Sequence, residues 1–149
     1  MPAANPQSSS SFATREEALD GGTRVLIDTP RLKGSINLQG GSFDDLTLKD
    51  YWETVEREDN IHLLSPLSAP GGYITEFGWL PRPDSGLSLP DGNSRWIADK
   101  STLRAGETLT LSWSNGAGLV FKRLISIDEN YLFNVQQSVE NETDQSITL

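Results

Sequence analysis

Apolar and polar residues alternate along the last third of the chain, and this period of two constrains the fold more than any other feature. One alternating run covers residues 109–113 and a second covers residues 119–127. Asn115-Gly116 lies between them, and this dipeptide favours a hairpin because both residues tolerate a positive φ angle. Since the spacer 114–118 is longer than two residues, we expect a bulged turn.

The same alternation recurs from residue 23 onward, with Gly, Pro, Asn and Asp at the interruptions. A less regular apolar segment covers 43–52, whereas the charged segment 53–60 and the Pro- and Gly-rich segment 81–93 are predicted loops. No segment longer than one turn combines a helical period with caps. The pattern therefore predicts an all-β sandwich or barrel. The predicted strands are 23–29, 32–38, 61–64, 73–80, 95–98, 109–113, 119–127 and 131–139, with another beginning at 147–149.

Residues 1–22 differ in composition from the rest of the chain and read as a flexible linker or tail. Their first half is rich in Pro, Asn and Ser, which bury little apolar area, so we expect residues 1–14 to be disordered. Residues 15–19 could form one helical turn, which Gly21-Gly22 would end. Residues 23–149 then form the folded β-domain.

Composition excludes several classes of protein. The 149 residues suffice for one domain with a core. The net charge of −9 is spread evenly, with no basic cluster, so a nucleic-acid partner is not expected. The absence of Cys excludes disulfides and thiolate chemistry. No apolar run approaches the roughly 20 residues that a membrane-spanning helix requires, and residues 1–22 lack the apolar segment of a signal peptide.

The chain offers little catalytic or metal-binding chemistry. His62 is the only histidine, so a multi-histidine metal site is excluded, and we expect a structural or surface role for it. Asp44 and Asp45 are adjacent, and neighbours in an extended chain point to opposite faces, so they cannot form a catalytic pair with each other. We expect them to form a turn after Gly40-Gly41.

Two further groups of residues raise the possibility of ligand binding. Four acidic residues in the segment 53–59 lack EF-hand spacing and predict a solvated loop. Of the four tryptophans, Trp79 and Trp113 lie an even number of residues from apolar neighbours and would therefore face the same side of a strand as they do. We predict that both are core residues. The pattern does not assign Trp52 and Trp96 to the core or to the surface, and either side chain could stack on a sugar. No nucleophile-elbow, P-loop or dinucleotide motif occurs. The sequence thus assigns no catalytic, cofactor-binding or metal-ligating residue, requires no cofactor, and leaves the partner-binding surface unknown.

A series of short motifs runs through the chain in a fixed order. In order and spacing the series resembles the periplasmic domain of the YidC family of membrane protein insertases, and alphaproteobacterial members in particular. The resemblance covers roughly residues 24–149. The motifs are Asp28-Thr29-Pro30-Arg31-Leu32-Lys33-Gly34-Ser35-Ile36-Asn37-Leu38, Gly40-Gly41, Asp44-Asp45-Leu46, Leu48, Tyr51, Leu64-Ser65-Pro66, Glu76-Phe77-Gly78-Trp79, Leu109-Thr110-Leu111-Ser112-Trp113, Asn115-Gly116, Phe121-Lys122-Arg123, Ile125-Ser126-Ile127-Asp128 and Tyr131-Leu132-Phe133.

This resemblance implies an antiparallel β-sandwich of the supersandwich type, similar to galactose mutarotase. Family members carry one membrane helix before this domain and five after it, and their periplasmic domain is longer, so we expect this chain to be an incomplete, N-terminal part of it. An incomplete sandwich leaves an unpaired strand edge, which recruits partners.

The resemblance also implies a function without covalent catalysis. The implied role is that of an accessory or interaction domain at the periplasmic face of the bacterial inner membrane, which assists insertion and folding of membrane proteins. The implied partners are the Sec translocon, its SecD–SecF accessory proteins and emerging membrane-protein segments.

Two alternatives from other classes remain open. A mutarotase-like enzyme would need a constellation of histidine and carboxylates, for which His62 alone is insufficient. A stand-alone carbohydrate-binding module would use Trp52 or Trp96 as a stacking platform.

Overall fold

Two β-sheets pack face to face through the alternating apolar side chains that the sequence pattern identifies. The computed structural model describes residues 12–149. Its elements are α1 (Arg15–Asp20), β1 (Arg24–Asp28), β2 (Leu32–Asn37), β3 (Ser42–Trp52), β4 (Asn60–Leu64), β5 (Ile97–Ala98), β6 (Thr102–Leu103), β7 (Thr108–Ser114), β8 (Leu119–Ile127) and β9 (Phe133–Asn141). The first sheet has the order β4-β3-β2-β1-β6 and the second the order β5-β7-β8-β9. The all-β sandwich predicted from the sequence is confirmed.

The first sheet is antiparallel apart from one parallel pair. β1 and β6 run parallel over two residues, with Leu26 opposite Thr102. The register of β2 on β3 shifts at Ser35, so that Asp44 in β3 has no partner residue and forms a bulge. Gly34 lies beside this bulge, and a Cβ atom there would stand 2.1 Å from the Asp45 carbonyl oxygen. Only glycine therefore allows the two strands to approach this closely.

The second sheet contains the meander that the alternating pattern predicts. β7 pairs antiparallel with β8, and β8 pairs with β9 along its whole length, from Leu119↔Asn141 to Ile127↔Phe133. In the turn between β7 and β8, the Asn115 side-chain oxygen accepts hydrogen bonds from the amides of Ala117 (2.8 Å) and Leu119 (3.1 Å). The strand pairing continues to Ser114↔Val120, and Gly116 and Gly118 in the turn have positive φ angles. The predicted hairpin is therefore confirmed, whereas the bulge expected in its turn stays a prediction.

The core lies between the sheets and draws on both. Phe43 of β3 contacts Phe133 of β9 edge to face, with ring centroids 5.3 Å apart. Burial of this apolar area supplies most of the stabilisation of such a domain. The buried cluster consists of Val25, Ile27, Leu32, Ile36, Phe43, Leu46, Leu64, Trp96, Leu103, Leu109, Leu111, Leu119, Phe121, Ile125 and Ile127.

Four segments differ from the sequence-based predictions. The predicted strand 73–80 is wrong, since only two isolated bridges form there, at Tyr73 and Thr75, before the chain leaves the sheet. Residues 147–149 form no strand, and Ile147 packs on the core instead. The segment 43–52 belongs to the longest strand, β3. It looked irregular in the sequence because the bulge in this strand interrupts the alternation. β6 is too short to produce a pattern.

The helix α1 lies inside the segment 1–22 that the sequence assigns to a tail. Thr14 caps it with a capping box, in which the Thr14 side chain accepts from the Glu17 amide and the Glu17 carboxylate accepts from the Thr14 amide. Ala18 is 2% exposed, so the helix packs on the sheet. The prediction of disorder over residues 1–14 falls largely on residues 1–11, which lie outside the described residues. Within residues 12–149, no helix has the length and apolar character needed to cross a bilayer.

Candidate interaction surface

One side of the sandwich is open and apolar. A groove of about 170 Å³ lies there between β3, β4 and β9. Its lining is almost entirely apolar, and it adjoins the outer edge of β9. We call the groove together with this edge the open side. The groove is lined by Phe43, Leu46, Leu64, Thr75, Phe77, Phe133 and Val135.

The bulge in β3 positions the aromatic part of the groove. Phe43 is paired with Thr75 by an isolated bridge, and its ring contacts Phe77 at 6.0 Å and Phe133 at 5.3 Å between centroids. Phe77 is 37% exposed. An apolar side chain entering the groove would therefore meet three phenylalanine rings, which favour edge-to-face contacts.

The edge strand β9 supplies unpaired backbone groups beside the groove. In the described part of the chain it pairs only with β8. Phe133, Val135 and Val139 of this strand are half-buried against the core. Residues 128–149 contain five carboxylates and no Lys or Arg. The open side therefore combines a strand edge, an apolar groove and negative charge, which are the elements of recognition by strand addition.

The Asp44-Asp45 pair does not form the turn that the sequence predicts. Both residues lie in β3 at the bulge, where the strand pairing holds them in extended backbone. Asp44 is buried and accepts hydrogen bonds from Arg24 (2.8 Å) and from the Ser35 hydroxyl (2.7 Å). Asp45 forms an ion pair with Arg15. The two carboxylates thus contact different arginines: Asp45 pairs with Arg15 of α1 and attaches the helix to the sheet, whereas Asp44 pairs with Arg24 of β1 within the sheet.

Arg24 joins this ion pair to the end of α1. Its guanidinium donates to the carbonyls of Leu19 (3.0 Å) and Ala18 (3.3 Å), and also to that of Gly21. A cation at the C-terminus of a helix is stabilised by the unpaired carbonyls there.

His62 lies on β4 and takes part in a short hydrogen-bonded chain. Arg15 donates to the Thr47 hydroxyl (3.2 Å), and this hydroxyl lies 2.7 Å from His62 Nδ1. The Thr47 hydroxyl thus links Arg15 to the His62 ring. Burial, and then the positive charge of Arg15, lower the pKa of His62. The predicted structural role of His62 agrees with this geometry.

Arg123 is a buried cation to which the sequence pattern assigned no role. It is 1% exposed and donates to the carbonyls of Gly41 (2.8 Å) and Phe77 (2.6 Å). Burial lowers its pKa to about 10, against an opposing effect of Glu76. The only sequence feature that indicated its burial was its place in the alternating pattern of β8. Arg123 falls on the inward face of this strand, between Phe121 and Ile125.

The tryptophans offer no open stacking platform. Trp96 is 3% exposed, with Trp79 stacked on it at 6.4 Å and the Arg123 guanidinium 4.7 Å from its ring. Trp52 is half-buried under Arg57, at 4.8 Å. Trp79 and Trp113 pack against the core as predicted. The carbohydrate-binding alternative therefore loses the two residues on which it depended.

The acidic segment after β3 is an exposed loop, as the sequence predicts. Across residues 12–149, His, Asp and Glu side chains form no group of three that could hold a metal ion.

Comparisons with known proteins agree on one family. The family model described as YidC periplasmic domain matches residues 24–149. A membrane protein insertase YidC of Methylobacterium nodulans is 48% identical over 97% of this chain and 23% of its own length. The corresponding insertases of Granulibacter bethesdensis (46% identical, 86% of this chain, 22% of the relative) and Beijerinckia indica (43% identical, 100% of this chain, 24% of the relative) are similar. The chain spans about a quarter of the length of these relatives. It belongs to the YidC family and corresponds to part of that family's periplasmic domain.

Proposed function

We propose that this chain is part of the periplasmic domain of an inner-membrane protein insertase and that it acts through contacts with polypeptides, not through covalent catalysis. The observation that carries the proposal is the open side, whose strand edge and apolar groove suit binding of an extended chain. Its relatives are named membrane protein insertases. Insertion requires polar backbone groups to enter lipid. Lowering the free-energy cost of this transfer takes non-covalent contacts and breaks no covalent bond.

The periplasmic location is tested by protease accessibility. The segment 81–93 joins the two sheets without regular structure, so a protease recognition sequence inserted there should be tolerated. In the full-length protein, we expect cleavage when protease is added to intact spheroplasts. Protection in spheroplasts, with cleavage only after the membrane is lysed, would contradict the location.

We further propose that a β-strand from the rest of the same polypeptide covers the open side. β9 is nine residues long, and a long unpaired edge beside apolar groups is a site of aggregation unless it is covered. The relatives are about four times as long as the part that this chain matches. The carboxylates around β9 favour a covering strand that carries Lys or Arg.

A photoreactive residue in place of Phe77 distinguishes the occupants of the open side. In the full-length protein, we expect the major product to join position 77 to a segment of the same polypeptide outside these 149 residues, since Phe77 already contacts Phe43 within them. A cross-link to a second copy or to a client protein would contradict the proposal. Val55, at the exposed tip between β3 and β4, is the control position, where we expect no such internal product, because it is 93% exposed.

The partners implied by the family resemblance are the Sec translocon, the SecD–SecF proteins and emerging membrane-protein segments. We propose that these bind the outer surface of the domain once the open side is covered. Val55 lies on that surface and is 93% exposed, so a photoreactive residue at this position is accessible to a partner. The photoreactive residue at position 55 should then cross-link to a Sec component in cells. Cross-linking to none of these partners, while the protein still inserts clients, would overturn this part of the proposal.

A further inference from the structure

We propose that the cavity beside Arg123 binds a singly charged carboxylate group, with the Arg123 guanidinium as its counter-ion. The inference is independent of what covers the open side. It begins from an imbalance of charge in the core. Six cations of the described chain form ion pairs with carboxylates, and five others without such a pair are exposed to solvent. Arg123 forms no ion pair although it is only 1% exposed. Buried charges are normally paired because desolvation is costly.

The hydrogen bonds of Arg123 leave donors without acceptors. A guanidinium has five N–H donors, and the protein supplies two carbonyl oxygens, those of Gly41 and Phe77. The Arg123 Nε atom has no acceptor in the described structure, and neither does the buried indole Nε1 of Trp96, whose ring lies against the guanidinium. These two buried donors beside one cavity have hydrogen-bonding capacity left for an acceptor, either a water or a ligand group.

The space beside these donors suits a small ligand. The cavity has a volume of about 160 Å³, several times the roughly 30 Å³ that one water occupies in the liquid. Gly40, Gly78 and Gly92 form part of its wall. A carboxylate at the end of a short aliphatic or peptide chain therefore fits in size.

The other charged residues of the cavity select among anions. Glu76 and Asp91 also line it. The Asp91 carboxylate accepts from the amide of Asn93 (2.8 Å) and the hydroxyl of Ser94 (3.3 Å), whereas no such bond is formed by the exposed Glu76 side chain in the described structure. Two nearby carboxylates repel a doubly charged phosphate more strongly than a carboxylate, so the site should prefer the single charge.

The cover of the cavity can move aside. Between Thr75 and Ser94 the backbone of the described chain makes no hydrogen bond to a strand. Side chains hold this segment instead, through Arg123 to the Phe77 carbonyl and Asn115 to the Ser88 carbonyl (3.4 Å). An incoming carboxylate can replace the Phe77 carbonyl as acceptor, which exchanges a neutral acceptor for a charged and stronger one.

The test is a titration of the 149-residue chain followed by the NMR signal of the Trp96 indole N–H. Acetate should shift this signal saturably, whereas acetamide, which has the same shape without the charge, and phosphate should not. A short apolar peptide with a free C-terminus, compared with its C-terminal amide, shows whether the carboxylate can belong to a peptide. Equal shifts with acetate and acetamide, or no saturable shift with either carboxylate, would overturn the proposal.

Two variants make the assignment specific. Glu76→Gln removes a like charge from the cavity and should tighten acetate binding roughly threefold, while Glu129→Gln, in the exposed turn before β9, should leave it unchanged. Arg123→Gln should abolish the response if it folds. If it does not fold, the Glu76→Gln comparison decides, since equal acetate affinity in both Glu→Gln variants would contradict a site beside Arg123.

Discussion

At the scale of single residues, buried ion pairs set the tolerance of the fold to substitution. The Arg24–Asp44 pair lies almost out of solvent, and Asp44 is also bonded to Ser35. Asp44→Asn leaves the Arg24 charge buried without its partner, so we expect a loss of about 3 kcal/mol in the free energy of unfolding. The exposed pair Arg31–Asp50 is the control, and Asp50→Asn should cost under about 0.5 kcal/mol. Urea unfolding measures both, and equal losses would contradict this difference.

His62 should make stability depend on pH. Its pKa is lowered in the folded state, so the unfolded chain takes up the proton more readily. The stability that His62 contributes to the folded state is therefore fully present at pH values above 6.5, the pKa of the unfolded chain's histidine. It is lost as the pH falls below that value. The free energy of unfolding should fall between pH 7.5 and 5.5, and His62→Gln should reduce that fall, because glutamine does not titrate. An undiminished fall in the variant would assign the effect to other groups.

At the scale of secondary structure, α1 should be a stable part of the domain and not a frayed end. Thr14→Ala removes the capping hydrogen bond to Glu17 and should cost about 1 kcal/mol. The change should appear as faster hydrogen exchange in α1, whereas Thr148→Ala, at an exposed position, should have no effect. Rapid exchange of α1 in the unmodified chain would mean that the helix is not docked.

The elements that could be predicted from the sequence are those with local signals. β7, β8 and β9 follow from alternation and from Asn115-Gly116, which act over a few residues. The segment 73–80 alternates equally well, but long-range contacts determine its path, since Arg123 takes the Phe77 carbonyl and Trp79 packs on Trp96. The Arg24–Asp44 pair and the Arg123 cavity could not be predicted, because they join residues distant in sequence.

At the scale of the whole molecule, two sheets enclose one core but leave one side open. The sequence predicts the sandwich and the unpaired edge through the family resemblance, but not which strand forms the edge. That assignment depends on sheet order, which leaves β4, β6, β5 and β9 at the sheet edges. Of these four, β9 is the longest and borders the groove. The groove depends in turn on the β3 bulge, which brings Phe43 towards Phe77 and Phe133.

The central claim is that the open side is an interaction surface which the rest of the polypeptide covers. Hydrogen exchange along β9, measured in the 149-residue chain and in the full-length protein, tests it most directly. Amides of β9 that point away from β8 should exchange rapidly in the shorter chain and at least about 100-fold more slowly in the full-length protein. Equally rapid exchange of these amides in both proteins would show that β9 stays uncovered and would contradict the claim.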